Sequence, residues 1–231
     1  MIDNQRKLPL FPLNVVLFPN ASLPLQIFEE RYKLLLKQCI DTDLQFGIVL
    51  IKSGDEVGGP AIPHKIGTLA KITEIKSKRD GTFNISVTGL DRFKIDEISH
   101  DNPYMQATVS ALPEDKFQKL TNEKIESLQW LTSEQIKLLH GLQGGWANNI
   151  LTPDNPVQLS WLICGILQIS NEQKQYLLEE SSPTKRLEMQ MPILLDNIDL
   201  LKKKLIQKYS FGLNWLAQNK LYIARSIKNL S

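Results

Sequence analysis

Cysteine is scarce in these 231 residues: only Cys39 and Cys164 occur, and no metal-ligand spacing links them. A small secreted scaffold needs more, so the expectation is a reducing, cytoplasmic setting with both thiols buried as small hydrophobes. No run reaches the ~18 consecutive apolar residues that a membrane span requires. The apolar stretch Leu8–Phe18, behind Arg6 and Lys7, has the outline of a secretion signal. Pro9, Pro12 and Pro19 interrupt it and no small-residue cleavage site follows, so it reads as part of the fold. In a cytosolic chain the sequons at Asn20, Asn84 and Asn229 are chance matches.

Catalytic signatures are missing as well. There is no phosphate-binding G-x-x-x-x-G-K-[ST] loop and no G-x-S-x-G nucleophile elbow. His64, His100 and His140 are too widely spaced for a short zinc motif. The expectation is a chain with no catalytic residue, no metal and no cofactor. Triads assemble in space, so the argument from motifs is not an exclusion.

What is present is ordinary globular composition, 42% hydrophobic and 23% charged, with a net charge of +2. The charge is unevenly placed. Residues 1–110 carry 13 basic and 13 acidic groups, and residues 111–201 carry 7 and 12. Residues 202–231 carry seven basic groups and no acid, among Tyr209, Phe211, Trp215 and Tyr222. Such a tail suits an anionic membrane surface or a nucleic acid, and equally a packed terminal helix with solvated lysines.

Near residue 112 the hydrophobic period changes from two to that of a helix. Before it, Leu8–Phe18 reads as a proline-limited edge strand, and Phe28, Tyr32, Leu35, Leu36 and Cys39 as one face of a short helix. Strands are expected at Phe46–Ile51, Ile66–Ile72, Phe83–Thr88, around Phe93 and Ile95, and at Tyr104–Ala111. Asp80-Gly81 marks a hairpin, and Gly89-Leu90-Asp91-Arg92 reads as a turn. Gly54–Pro63 reads as a loop. After it, a long helix is expected from Glu114 to about His140, and another opens at Pro153–Pro156. Ser170 with Gln173 has capping-box spacing, and Ser182-Pro183 starts a helix whose apolar stripe runs from Leu187 to Leu205 and meets a kink at Pro192. The fold class expected is α+β: a small antiparallel β-barrel with an inserted helix over 1–112, then a helical bundle with a basic tail over 113–231.

The N-terminal strings Leu8-Pro9-Leu10-Phe11-Pro12-Leu13, Val16-Leu17-Phe18-Pro19, Leu23-Pro24-Leu25 and Ile27-Phe28-Glu29-Glu30-Arg31-Tyr32 resemble the amino-terminal domain of Lon proteases, especially its stand-alone bacterial form. Gly67–Ile72, Asp80-Gly81, Gly89–Phe93, Gln173–Glu179 and Lys185-Arg186-Leu187 agree with it in order, so the resemblance covers about residues 7–206. It implies a PUA-like pseudo-barrel with a helical bundle and a role in recognising protein substrates. Lon continues into ATPase and peptidase domains, which these residues do not reach, so neither hydrolysis is expected. Pro192 departs from the family's continuous helix, and the tail after Ile206 has no counterpart in the resemblance.

The expected partner is unfolded or extended polypeptide; whether a separate protease acts downstream, and the oligomeric state, are left open by the sequence. Leu10, Phe11, Leu13, Phe18, Leu23 and Leu25 are too many apolar residues for one strand face, so some are candidates for an exposed groove, with Phe28 beside them. Arg31 and Arg92 are candidate carboxylate clamps, although a structural ion pair, for example with Glu29 or Glu30, is the more ordinary role. The second reading is an RNA-binding PUA-like protein using the basic tail; the balanced charge of residues 1–110 counts against the barrel itself.

Overall fold

The computed structural model describes residues 5–59, 61–99, 101–145, 147 and 150–228, with 211–228 as backbone alone. His100, Asn229 and the tail side chains from Phe211 onward lie outside the described residues.

Seven strands build the first part: β1 (Arg6–Leu13), β2 (Ser22–Ile27), β3 (Gln45–Gly54), β4 (Ala61–Pro63), β5 (Ile66–Ser77), β6 (Phe83–Ser99) and β7 (Gln106–Ala111). A helix, α1 (Glu30–Ile40), is inserted between β2 and β3. Strands β1, β7, β6, β5 and β3 follow one another, and a β1–β3 pairing joins the two ends into a near-closed ring. Every pairing is antiparallel except β1–β3, which is parallel.

The closure corrects the edge-strand reading of Leu8–Phe18. The strand stops at Leu13. It is shared lengthwise, Arg6–Pro9 pairing with β7 and Leu10–Leu13 with β3. Prolines 9 and 12 each remove one donor, which a strand tolerates when it changes partner halfway. Both faces of β1 are covered. Leu8 and Leu10 enter one core with Val49, Leu69 and Phe93, while Phe11 and Leu13 enter another with Tyr32, Leu36, Phe46 and Ile72. The surplus of apolar residues therefore reflects two cores.

The Asp80-Gly81 hairpin forms as expected. Gly81 has φ +76°, and the Asp80 carboxylate accepts from the Thr82 amide at 3.0 Å and its hydroxyl at 2.7 Å. Those bonds, the hydroxyl's first, hold the Asp80 carboxyl below its ordinary pKa. The expected turn at Gly89 is not one, because β6 continues through it, with a shift of register against β5 between the pairs Ala70–Gly89 and Thr68–Arg92. A Cβ at Gly89 would stand 2.2 Å from the Phe18 carbonyl oxygen, so the glycine lets the 14–21 segment cross the strand. Asn20 donates to the Gly89 carbonyl (2.9 Å) and Gly89 to that of Ala21 (2.9 Å). The strands β2 and β4 were not expected. Phe28 precedes α1, whose buried face is Tyr32, Leu35, Leu36 and Cys39.

Residues 112–121 are neither helix nor strand, so the expected helix start at Glu114 moves to α2 (Asn122–Leu142), capped by Thr121. Then come α3 (Pro156–Ile166), capped by Asn155, α4 (Asn171–Glu179), with the Ser170–Gln173 capping box, and α5 (Pro183–Lys228), continuous past Pro192. Two compact units result. One joins Met1–Leu120 to Asp154–Glu188, and the other joins Thr121–Pro153 to Met189–Ser231. These units have other bounds than the change from strand to helix near 112. In the second unit Gln135 donates to Asn197 at 3.4 Å, and Tyr209 to the Gly141 carbonyl at 3.3 Å.

Replacing Gly89 with alanine should destabilise the first unit by about 1–3 kcal/mol, because backbone cannot yield as a side chain does. Gly165 in α3 has open space around its Cβ position, so Gly165→Ala should stabilise by about 0.5–1 kcal/mol. Urea denaturation of both variants checks the pair; equal midpoints would contradict the crossing at Gly89.

Candidate functional site

A cavity of about 160 Å³ opens between β1, β2, the start of α1 and the loop after β3. Phe11, Leu13, Leu25, Phe28 and Val57 are among the residues that line it, Phe11 and Leu13 being buried. Phe28 is 49% and Val57 58% exposed, large apolar groups that folding leaves in water. Strand β2 has a partner, β6, on one edge only among the described strands. Its outward residues Ser22, Pro24 and Gln26 are exposed, while Leu23 and Leu25 turn inward.

Arg31 holds the wall of this cavity. Its Nε donates to Glu29 Oε2 at 3.0 Å, and its two Nη groups reach the Gly59 and Glu56 carbonyls at 3.5 and 3.4 Å. The same Glu29 oxygen accepts from the Gly58 amide, and Glu56 Oε2 accepts from the Asn14 amide, at 3.2 and 3.0 Å. The guanidinium stands 4.5 Å from the Tyr32 ring centroid. The loop is therefore fastened to α1 and to the end of β1. Burial pushes the Tyr32 phenol above its ordinary pKa; Arg31 opposes this, and Glu29 and Glu56 add to it.

Arg92 sits elsewhere, at 2% exposure. It donates to the carbonyls of Leu178 (2.8 Å), Glu180 (3.0 Å) and Pro113 (3.3 Å), and pairs with Glu114 Oε1 at 2.9 Å. The other Glu114 oxygen pairs with Arg186 at 2.8 Å. Arg186 also donates to Ser160 (3.0 Å) and the Glu180 carbonyl (2.7 Å), and lies 3.4 Å above the Trp161 ring centroid. Burial, more than any neighbour, lowers the Arg92 pKa, with Glu114 opposing. One carboxylate thus serves two buried cations. A cavity of about 600 Å³ borders Arg92, Glu114 and Trp161, and a trough of about 940 Å³ lies in the second unit beside Trp130 and Tyr209.

Of the sequence candidates, Phe11, Leu13, Leu25 and Phe28 meet at one cavity, with Arg31 behind its wall. Leu10, at 0% exposure, belongs to the second core, and Phe18, at 2%, packs 6.1 Å from Trp161. Leu23 packs against the first core. Those three do not line the cavity, and Arg92 clamps its own chain's carbonyls. Sequence reading missed Glu56 and Val57, which sit in a loop without periodicity. It also missed Glu114 as a partner for Arg92, 22 positions away. Arg186 carried a signal, a cation next to the apolar stripe of α5.

The sequence matches the family described as the ATP-dependent protease La (LON) substrate-binding domain over residues 7–196. This chain belongs to that family. A Lon N-terminal domain protein from Xanthomonas campestris shares the Lon fold with a TM-score of 0.64 and 29% identity, covering 81% of this chain and 98% of its own. The N-terminal domain of Mycobacterium avium complex Lon protease gives a TM-score of 0.56 at 18% identity, covering 83% of this chain and 99% of its own, a likeness of fold alone. Lon protease 2 of Myxococcus xanthus is 27% identical over 87% of this chain, and the Escherichia coli Lon protease 28% over 85%. The chain spans about a quarter of the length of these curated relatives, 25% of each. Among the described residues of this Lon domain no group of His, Cys, Asp and Glu could hold a metal ion, and no helix is long and apolar enough to cross a membrane.

Replacing Glu114 with alanine strands two buried guanidinium groups, and should destabilise the first unit by about 3–5 kcal/mol. Arg92→Ala should lower the melting temperature as clearly while leaving ligand affinity of the folded fraction unchanged. Calorimetry checks both; an unaltered melting temperature in Arg92→Ala would remove its structural role.

Proposed function

We propose that this Lon-type domain is a non-catalytic module that captures exposed apolar, extended polypeptide, and that the cavity beneath Phe28 is where it does so. One observation carries the reading: two half-exposed apolar side chains, Phe28 and Val57, flank a small cavity beside a strand that, among the described strands, is paired along one edge. An extended segment laid along β2 gains main-chain hydrogen bonds and sends alternate side chains toward the cavity. Pro24 offers no N–H, so the added pairing is shorter than β2 itself. An engineered cavity of about 150 Å³ accommodates benzene, so the space suits one aromatic or branched side chain.

Such capture requires neither cofactor nor metal, and hydrolysis of what is bound falls to a separate protease. A cytoplasmic setting agrees with two buried cysteines that form no disulfide, the Cys39 thiol being pushed up to about 12, chiefly by burial. The reading as an RNA-binding protein rests on the basic composition of residues 202–231.

The test is fluorescence anisotropy of a labelled, permanently unfolded polypeptide titrated at two salt concentrations. Micromolar, salt-tolerant binding is expected, weakened about tenfold or more by Phe28→Ala, as for an anchor residue. Deleting residues 207–231 should leave peptide affinity intact. Binding that vanishes at higher salt or with the deletion would transfer the function to the tail, and binding indifferent to Phe28→Ala and Val57→Ala would remove the cavity from it.

A further inference from the structure

We propose that the carboxylates at the cavity rim, Glu29 and Glu56, select polypeptide segments in which a bulky apolar residue is accompanied by lysine or arginine two positions away. This rests on the capture reading above and adds the chemical class of segment to it.

The rim carries an excess of negative charge. Among the described residues lining the cavity, the acidic ones are Glu29 and Glu56, and none is Lys or Arg. Arg31 is the nearby cation, and its donors go to Glu29 and to the loop carbonyls. Its single charge answers one carboxylate of two. Glu30 is already paired with Lys33 at 2.8 Å, and Asp55 is exposed beside Glu56. The Glu56 carboxylate accepts a backbone N–H from Asn14, which fixes it without neutralising it. The Glu29 side chain is 17% exposed, so the field there is screened less than on open surface. Both carboxylates add to the upward push that burial gives the Tyr32 phenol, against Arg31.

The spacing follows from the strand. On an extended segment, residues i and i±2 share a face. When residue i fills the cavity, residues i±2 pass over the rim. A cation there meets the unbalanced carboxylate and the exposed ring of Phe28, and an acidic side chain meets repulsion.

Three labelled peptides test this: one extended sequence with a single phenylalanine anchor, carrying Lys, Ser or Glu at both i−2 and i+2. Each is titrated at low and physiological salt against the wild-type chain, Glu56→Gln and Phe28→Ala, with circular dichroism confirming the fold. The glutamine keeps an acceptor for Asn14 and removes only the charge. The expected order is Lys over Ser over Glu, about threefold per step at low salt. Salt should narrow the spread, and Glu56→Gln should roughly halve it in logarithmic terms with little effect on the Ser peptide. Equal affinities, or a spread that survives in a Glu29→Gln, Glu56→Gln double variant, overturn the charge selection. Equal affinities that all fall in Phe28→Ala would leave the capture reading standing. No binding by any of the three would overturn both.

Discussion

The first unit depends on the carboxylate of Glu114, which answers two guanidinium groups that water does not reach. Arg92 comes from the middle of β6 and Arg186 from the first turns of α5, 94 positions apart in the chain. Left alone, two buried like charges would repel and each would carry an uncompensated desolvation cost. Glu114 faces both, Trp161 receives Arg186 on its ring, and the carbonyls of Pro113, Leu178 and Glu180 take further N–H groups. Those carbonyls are available because the chain is non-helical at 112–121 and at the end of α4, where no helical N–H competes for them. The cluster therefore explains why Glu114 lies in non-helical chain despite the helical pattern after it. It also explains why residues 154–188 belong with the strands: Trp161, Ser160, Leu178, Glu180 and Arg186 are all on that segment.

The same unit owes its cavity to how the barrel closes. Because β1 gives its first half to β7 and its second half to β3, it is covered on both faces, and Phe11 and Leu13 point toward the face that α1 shares. Strand β2, held off the ring by its pairing with β6, brings Leu25 and Phe28 over the same place. Gly89 makes this geometry available by letting the 14–21 segment pass with its backbone almost touching β6. The apolar cleft is thus a by-product of closing a small sheet with a proline-bearing strand.

Much of this was legible in the sequence. The class of fold, the inserted helix, the Asp80-Gly81 hairpin, the Ser170 capping box and the Ser182-Pro183 helix start are decided by local chemistry within four or five residues, so periodicity and turn residues suffice. The failures were non-local. Gly89 looks like a turn residue because glycine commonly is one, but its cause is a carbonyl 71 positions earlier. Glu114 looks like the start of a helix until Arg92 and Arg186 are brought to it. Leu10 and Phe18 are indistinguishable from Phe28 by composition or motif, and only packing separates two buried side chains from one left half in water. The Glu56–Val57 loop carries no period at all, and its place over the cavity is set by Arg31.

Ion pairing occurs at two depths in the first unit. Around Arg92 the pairing is enclosed and hydrogen-bonded to backbone, so a ligand arriving there would have to displace the chain's own carbonyls; such a site stabilises and does not select. Around Arg31 the guanidinium is part-buried, spends its donors on a loop, and leaves one carboxylate of two unanswered beside an open apolar cavity. A charge in that position is neither deep enough to demand an internal partner nor exposed enough to be screened away. In the proposed capture, an arriving segment completes it. Arginine in a matched motif is therefore a poor guide to ligand contact by itself: Arg92 and Arg31 stand in equally suggestive strings, and what separates them is whether the geometry leaves a charge over.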